Sequence, residues 1–310
     1  MREAVTDVDG VSGGAQGRLT MFRRPVRGWR AAAVTVTVAV AALGGLVGCA
    51  GDDSDGPTGR VVLFGSPEML LVPAAGGRPE RFGIGEREFW DLAFAPDGNR
   101  VAFIPARGIE SDGITIMNLK EGQTTVIPNQ PPQDQFGSYD MAWAPDGKSL
   151  AFVNGADVYV VSIDGTGLRR VGRGDSPSWA LDGTRIVFSS GDNRGDNLDL
   201  AVVRADGTGL RVLGRGQHPD VSPSGEMVAY STRTGIFVRA LAGGESRLVV
   251  PNGFDPVWSP DGKFLAFTRY TECGHAACSG RVFVVPVEGG APHAIGPTMG
   301  DPGGPRQWIR

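Results

Sequence analysis

A Pro-Asp-Gly turn set between an aromatic residue and an apolar run recurs along this chain, and the recurrence limits the fold more than any other feature. The clearest copy is Trp258-Ser259-Pro260-Asp261-Gly262-Lys263-Phe264-Leu265-Ala266-Phe267. Proline presets φ, the Asp side chain bonds its own backbone, and glycine accepts positive φ, so the segment reads as a hairpin. The same phrase appears as Phe94-Ala95-Pro96-Asp97-Gly98 before Val101-Ala102-Phe103, and as Trp143-Ala144-Pro145-Asp146-Gly147 before Leu150-Ala151-Phe152. Weaker copies are Trp179-Ala180-Leu181-Asp182-Gly183 and Val221-Ser222-Pro223-Ser224-Gly225. Their glycines, at 98, 147, 183, 225 and 262, are 49, 36, 42 and 37 residues apart. A period near 40 with several strands per unit is the sequence pattern of a β-propeller blade.

Each repeat supplies four strands. The first ends in the motif aromatic and the second follows the turn. The third is an alternating run such as Asp157-Val158-Tyr159-Val160-Val161-Ser162-Ile163, and a second hairpin, Asp164-Gly165-Thr166-Gly167 or Asp206-Gly207-Thr208-Gly209, leads to a short edge strand. Complete blades are expected near 88–128, 138–172, 174–214, 216–251 and 253–296. The ends complement each other. Val61-Val62-Leu63-Phe64, Met69-Leu70-Leu71-Val72 and Glu80-Arg81-Phe82 are strands two to four, whereas Arg306-Gln307-Trp308-Ile309-Arg310 is a lone first strand. Joining them gives a sixth blade, so the expected fold is an all-β, six-bladed propeller over 60–310, closed by pairing the C-terminal strand with the N-terminal blade. The 48 glycines and 22 prolines suit such a turn-rich array. The five turn motifs and the Asp-Gly-Thr-Gly hairpins resemble the propeller repeats (PD40, WD40-like) of the TolB family, and the resemblance implies six blades.

The segment before the propeller has a different chemistry. Residues 1–30 hold six Arg and three acids, and 31–48 is an uncharged run ending Leu46-Val47-Gly48-Cys49. A basic flank, an apolar core and small residues before a cysteine form an export signal. The last four residues resemble a bacterial lipobox, with Cys49 as the lipidated first residue of the mature chain. Residues 1–48 are therefore expected to be a signal peptide, with Met21 as an alternative start, and 49–59 a flexible tether. The competing reading is an uncleaved anchor, since eighteen residues just reach spanning length.

The short Asp-Gly turns fall on one face of such a propeller, and the long irregular loops at 105–113, 128–138, 190–197, 269–281 and 297–305 fall on the other. Binding specificity is usually built on loops of that kind. Three positions before each motif aromatic stand Asp91, Asp140, Ser176, His218, Asp255 and Pro305, with Trp90, Tyr139, Asp175, Gln217, Phe254 and Gly304 one place earlier. At a channel mouth these make an acidic ring with aromatic neighbours, suited to a cationic group. The alternative is that the acids cap turns. Asp192-Asn193-Arg194-Gly195-Asp196-Asn197 is rich in oxygen ligands but lacks EF-hand spacing, so a solvated loop is preferred to a calcium site. Cys273-Gly274-His275-Ala276-Ala277-Cys278 offers too few ligands for zinc, and in an exported chain a disulfide between Cys273 and Cys278 is expected. No metal or cofactor motif is found. The net charge of −4 argues against nucleic acid. With three histidines and no Gly-x-Ser-x-Gly elbow, no catalytic constellation stands out. The expectation is a lipid-anchored, extracytoplasmic propeller that binds a protein or peptide through its loop-rich face. The alternative is an envelope lyase or hydrolase using the acids and His218 at the mouth.

Overall fold

In the computed structural model the described residues are 56–65, 68–83, 89–105, 113–128, 140–191, 198–273, 278–299 and 304–309. Cys49, Tyr139 and 192–197 lie outside them, as does the whole of 1–55. The described residues form antiparallel sheets and no helix.

The chain begins with β1 (Arg60–Gly65), β2 (Glu68–Pro73) and β3 (Glu80–Phe82). A second sheet is β4 (Phe89–Phe94), β5 (Arg100–Pro105), β6 (Thr115–Asn118) and β7 (Thr124–Val126). Then come β8 (Met141–Trp143), β9 (Ser149–Asn154), β10 (Asp157–Ser162), β11 (Arg169–Trp179), β12 (Arg185–Ser190), β13 (Asp199–Arg204) and β14 (Arg211–Arg215), paired in series as one seven-stranded sheet. Two four-stranded sheets follow, β15 (Gln217–Val221) to β18 (Arg247–Pro251) through β16 (Met227–Thr232) and β17 (Gly235–Ala240), and β19 (Phe254–Trp258) to β22 (His293–Met299) through β20 (Phe264–Cys273) and β21 (Cys278–Pro286). The last strand, β23 (Gly304–Ile309), pairs antiparallel with β1, Trp308 opposite Val61.

The repeated turns have the expected chemistry. Asp97, Asp146, Asp182 and Asp261 each accept a hydrogen bond through Oδ1 from the backbone N–H two residues on, at 2.8–3.0 Å, and Gly98, Gly147, Gly183, Gly225 and Gly262 have φ of 64–75°. Behind each turn the apolar runs are buried on both faces. The second strands carry Phe103, Phe152, Phe188 and Phe267 with no exposed surface, and the sheets pack on one another through these rings and the aliphatic residues around them. Neighbouring first strands are tied by the motif tryptophans. Trp143 Nε1 donates to the carbonyl of Ala93, Trp179 Nε1 to that of Ala142, and Trp258 Nε1 to that of Asp220. Gln307 of β23 clasps the main chain of Phe94 from both sides, accepting from its N–H at 2.9 Å and donating to its carbonyl at 3.0 Å.

Two features differ from the reading of the sequence. The repeats expected to end at 172 and restart at 174 are not separate there. β11 runs straight through, pairing with β10 as an edge strand and with β12 as a first strand. Gly174 makes this passage possible: its φ is 151°, and a Cβ would lie 1.9 Å from the Ser189 carbonyl oxygen. Residues 269–273 and 278–281, expected within an irregular loop, extend the β20–β21 pairing out to Cys273 opposite Cys278.

Candidate functional site

The first strands share a defect at their starts. Registers shift between Asp175 and Ser178 in β11, between Gln217 and Asp220 in β15, and between Phe254 and Val257 in β19. Each bulge is entered through a non-glycine residue in the left-handed region: Ser176, His218 and Asp255 at φ of 50°, 49° and 54°. That conformation is uncommon outside glycine and gathers where surrounding structure enforces it. The enforcing bonds are visible. His218 N–H donates to Ser189 Oγ at 3.0 Å and Asp255 N–H to Ser231 Oγ at 2.9 Å, both hydroxyls being fully buried. Thr268 holds the corresponding place in β20. The residue that would donate to it is Pro305, which has no N–H, and the buried Thr268 Oγ1 has no hydrogen-bond partner among the described residues.

The bulges carry their side chains to one cluster. His218 Nδ1 lies 2.7 Å from Asp255 Oδ1, and Tyr270 Oη is 3.5 Å from Asp255 Oδ2. Arg306 Nη1 donates to Asp140 Oδ1 at 2.9 Å, and Ser176 Oγ donates to Asp140 Oδ2 at 3.1 Å. Asp91 is buried and accepts the N–H of Met141 at 3.0 Å through Oδ2. The charges act across the cluster. Burial pushes the Asp91 carboxyl up to about 7; Arg306 opposes this and Asp140 adds to it. Burial also raises Asp175, with Asp140 adding and His218 opposing. Desolvation would lower His218, but Asp255, Asp175 and Asp140 outweigh it and raise the imidazole to about 9. Burial works against ionised Asp255 too, and the attraction of His218 overcomes it, leaving this carboxyl below its usual range. His218 is therefore a cation at neutral pH, paired with an ionised Asp255.

The structure thus brings Asp91, Asp140, His218 and Asp255 into one coupled group. Asp91 also bonds a backbone N–H, but that of Met141, so it ties β8 to β4 and is not the turn cap weighed as the alternative. Phe254 packs its ring against Tyr270, centroids 5.5 Å apart. Trp90 lies in β4 beside Asp91, and its side chain, like those of Cys273 and Cys278, is outside what the structure describes. The ring is not uniformly acidic: Arg306 reaches into it from β23, which the sequence identified only as a closing strand. Asp220 is a second addition. It is half-buried in β15, with Oδ1 accepting from Ser178 Oγ at 3.2 Å and Oδ2 from Trp258 N–H at 2.7 Å, so it links three successive first strands. Burial raises it to about 6, against the bonds from Trp258, Ser178 and Val221. The signal for both was a charge inside a strand: the counterparts of Asp220 include Ala93, Ala142 and Val257, and those of Arg306 are Leu92, Met141, Pro177, Pro219 and Pro256. Among the described residues no group of three His, Cys, Asp or Glu side chains is arranged to hold a metal ion.

Comparison with known proteins places this geometry in a fold. A family model described as the TolB β-propeller domain matches residues 90–242. TolB from Acinetobacter baumannii superposes with a TM-score of 0.57 at 17% identity, over 78% of this chain and 65% of that one. The chain therefore spans less than two thirds of that TolB's length. A putative TolB from Agrobacterium tumefaciens gives 0.55 at 17% identity, over 81% of this chain and 93% of that one. An oligogalacturonate lyase from Vibrio parahaemolyticus gives 0.50 at 14% identity, over 78% and 74%. At these identities the likeness is one of fold. No curated protein matches the sequence.

Proposed function

We propose that this chain, whose residues 90–242 match the TolB β-propeller model, is a six-bladed, closed propeller that binds a protein or peptide partner at the loop-bearing end of its first strands. Closure is supported by the pairing of β23 with β1 and by its place beside both β19 and β4. β11 then serves as the edge of one blade and the first strand of the next. The tether would be carried by Cys49 on the extracytoplasmic side, and an intact mass starting at an acylated Cys49 would read it. No helix among the described residues is long and apolar enough to cross a membrane.

One observation carries the binding reading. Four carboxylates, Asp91, Asp140, Asp175 and Asp255, share the cluster with two cations, His218 and Arg306, so two negative charges remain when all are ionised. A basic side chain entering the cluster would meet that surplus in a partly desolvated place, where charge attraction is weakly screened. Binding would also favour the ionised form of Asp91, so affinity should rise with pH through about 7. Titration with tetralysine between pH 5.5 and 8.5 tests this. The double change Asp140→Asn and Asp255→Asn should weaken binding roughly tenfold or more, from the loss of at least ~1.4 kcal/mol of attraction. Unchanged affinity in that variant, or affinity flat with pH, would exclude the mouth as the binding place.

The envelope lyase or hydrolase is a second reading, favoured by Asp91. A carboxyl at about 7 is poised as a general base, and the protonated His218 as an acid. Under this reading Asp91→Asn would abolish turnover of an envelope glycan or peptide and leave tetralysine binding largely in place.

A further inference from the structure

Three hydroxyls stand behind the cluster, each directly after the aromatic residue of a second strand: Phe188-Ser189 in β12, Tyr230-Ser231 in β16 and Phe267-Thr268 in β20. Earlier repeats have Phe103-Ile104 and Phe152-Val153 there. All three hydroxyl residues are fully buried, yet they differ in what they do. Ser189 is opposite Asp175 in the β11–β12 pairing, gives its O–H to that carboxylate and accepts the His218 N–H of the next repeat. Ser231 is opposite Gln217 and accepts the Asp255 N–H. Thr268 is opposite Phe254, and its Oγ1 has no partner among the described residues. The two donors, His218 and Asp255, lie inside register shifts. A bulge takes an N–H out of the ladder, and a buried donor must then find another acceptor. These are also the two residues whose side chains meet across neighbouring repeats, His218 Nδ1 to Asp255 Oδ1 at 2.7 Å. Ser176 shares their positive φ, but its place answers to Val153; its own hydroxyl bonds Asp140 and takes no part in the pair.

We infer that Ser189 and Ser231 are positioning residues of the cluster: each hydroxyl fixes the backbone from which one member of the His218–Asp255 pair projects, and Thr268 has no such part. A non-glycine residue leaves the left-handed region once the bonds that hold it there are gone. Return of either residue to negative φ turns its side chain to a new direction, and imidazole and carboxylate separate. Their attraction falls with that distance. The loss at Ser189 reaches further, because Asp175 loses a donor too, while its buried Oδ1 already has no partner among the described residues. Thr268, fully buried at the corresponding place, shows that a threonine fits there. The pair is held this way whatever the cluster binds; the affinity measurement alone rests on its taking a basic partner.

The test follows the His218 ring through a pH titration by NMR in the full chain, with His218→Asn identifying its signal among the three histidines. Tetralysine affinity is measured on the same variants. Ser189→Ala and Ser231→Ala should each lower the His218 midpoint by about one unit or more, a tenfold loss of proton affinity, and weaken tetralysine binding several-fold. Ser189→Thr and Ser231→Thr keep the hydroxyl and should behave as wild type. Thr268→Val removes a hydroxyl without a partner among the described residues and should change neither reading. Ser189→Cys and Ser231→Cys, close in shape but only weak acceptors, should repeat the alanine result, so an alanine variant that fails to fold still leaves the question decided. A lower midpoint with unchanged tetralysine affinity upholds the positioning role and counts against the cluster as the binding place. Wild-type midpoints in the alanine and cysteine variants, threonine variants as impaired as the alanine ones, or an equal fall in Thr268→Val would overturn it.

Discussion

Asp91, Asp220 and His218 each bind a proton more tightly in the folded chain than outside it, with values of about 7, about 6 and about 9. For the two carboxyls, protonated folded forms are favoured, so their contribution is complete below the ordinary carboxylate range and lost as pH rises through 6 and 7. The His218 contribution is complete below about 6.5 and lost as pH rises through 9. The turn carboxylates Asp97, Asp182 and Asp261 have the opposite sign: bonds from the following backbone and side chains outweigh desolvation and hold them low, so their contribution is lost on acidification. Stability should therefore peak near pH 5 and decline toward pH 9. Asp91→Asn keeps an acceptor for the Met141 N–H and removes the titration, so it should flatten the decline between pH 5 and 8, a difference on the order of a few kcal/mol. Denaturant melts at both pH values decide it; a wild-type chain at least as stable at pH 8 as at pH 5 contradicts the assignment. Residue order shows neither the rise at Asp91 and Asp220, which burial causes, nor that at His218, which the charge of Asp255 causes against burial.

At the scale of elements, the hairpins read from Pro-Asp-Gly and Asp-Gly-Thr-Gly were legible because their chemistry is local. Asp164 Oδ1 accepts from both the N–H and the hydroxyl of Thr166, two residues away, and Asp206 does the same with Thr208. A second regularity passes between sheets. Arg169, Arg211 and Arg247, each at the start of an outer strand, donate to the carbonyls of Ala205, Leu241 and Val287 in the next repeat's third-strand turn. The arginines recur in the sequence, but their acceptors are main-chain oxygens 30–40 residues away, and no residue type marks them. Changing all three to Ala should cost roughly 1.5–4.5 kcal/mol, at about 0.5–1.5 kcal/mol for each hydrogen bond. A denaturation midpoint equal to wild type would show the bonds to be idle.

For the whole molecule, the proposed closure makes the two ends unequal. Removing 307–310 takes away the Gln307 clasp on Phe94 and the burial of Trp308, whose Nε1 donates to the Thr58 carbonyl at 2.8 Å, and it bares β1. Removing 51–54 shortens the segment read as a tether. Melting temperatures should fall steeply for the first truncation and stay near wild type for the second; equal values would argue against closure. The sequence alone determined the all-β repeat array, its turns, the complementary ends and the equivalent repeat positions of Asp91, Asp140, His218 and Asp255, because a repeat assigns equivalent positions to equivalent places. Tertiary structure decided the rest. Arg306 and Asp220 act on partners from other repeats, and β11 joins two repeats through one glycine. In each case the deciding contact is made across repeats, by groups whose distance along the chain says nothing of their distance in space.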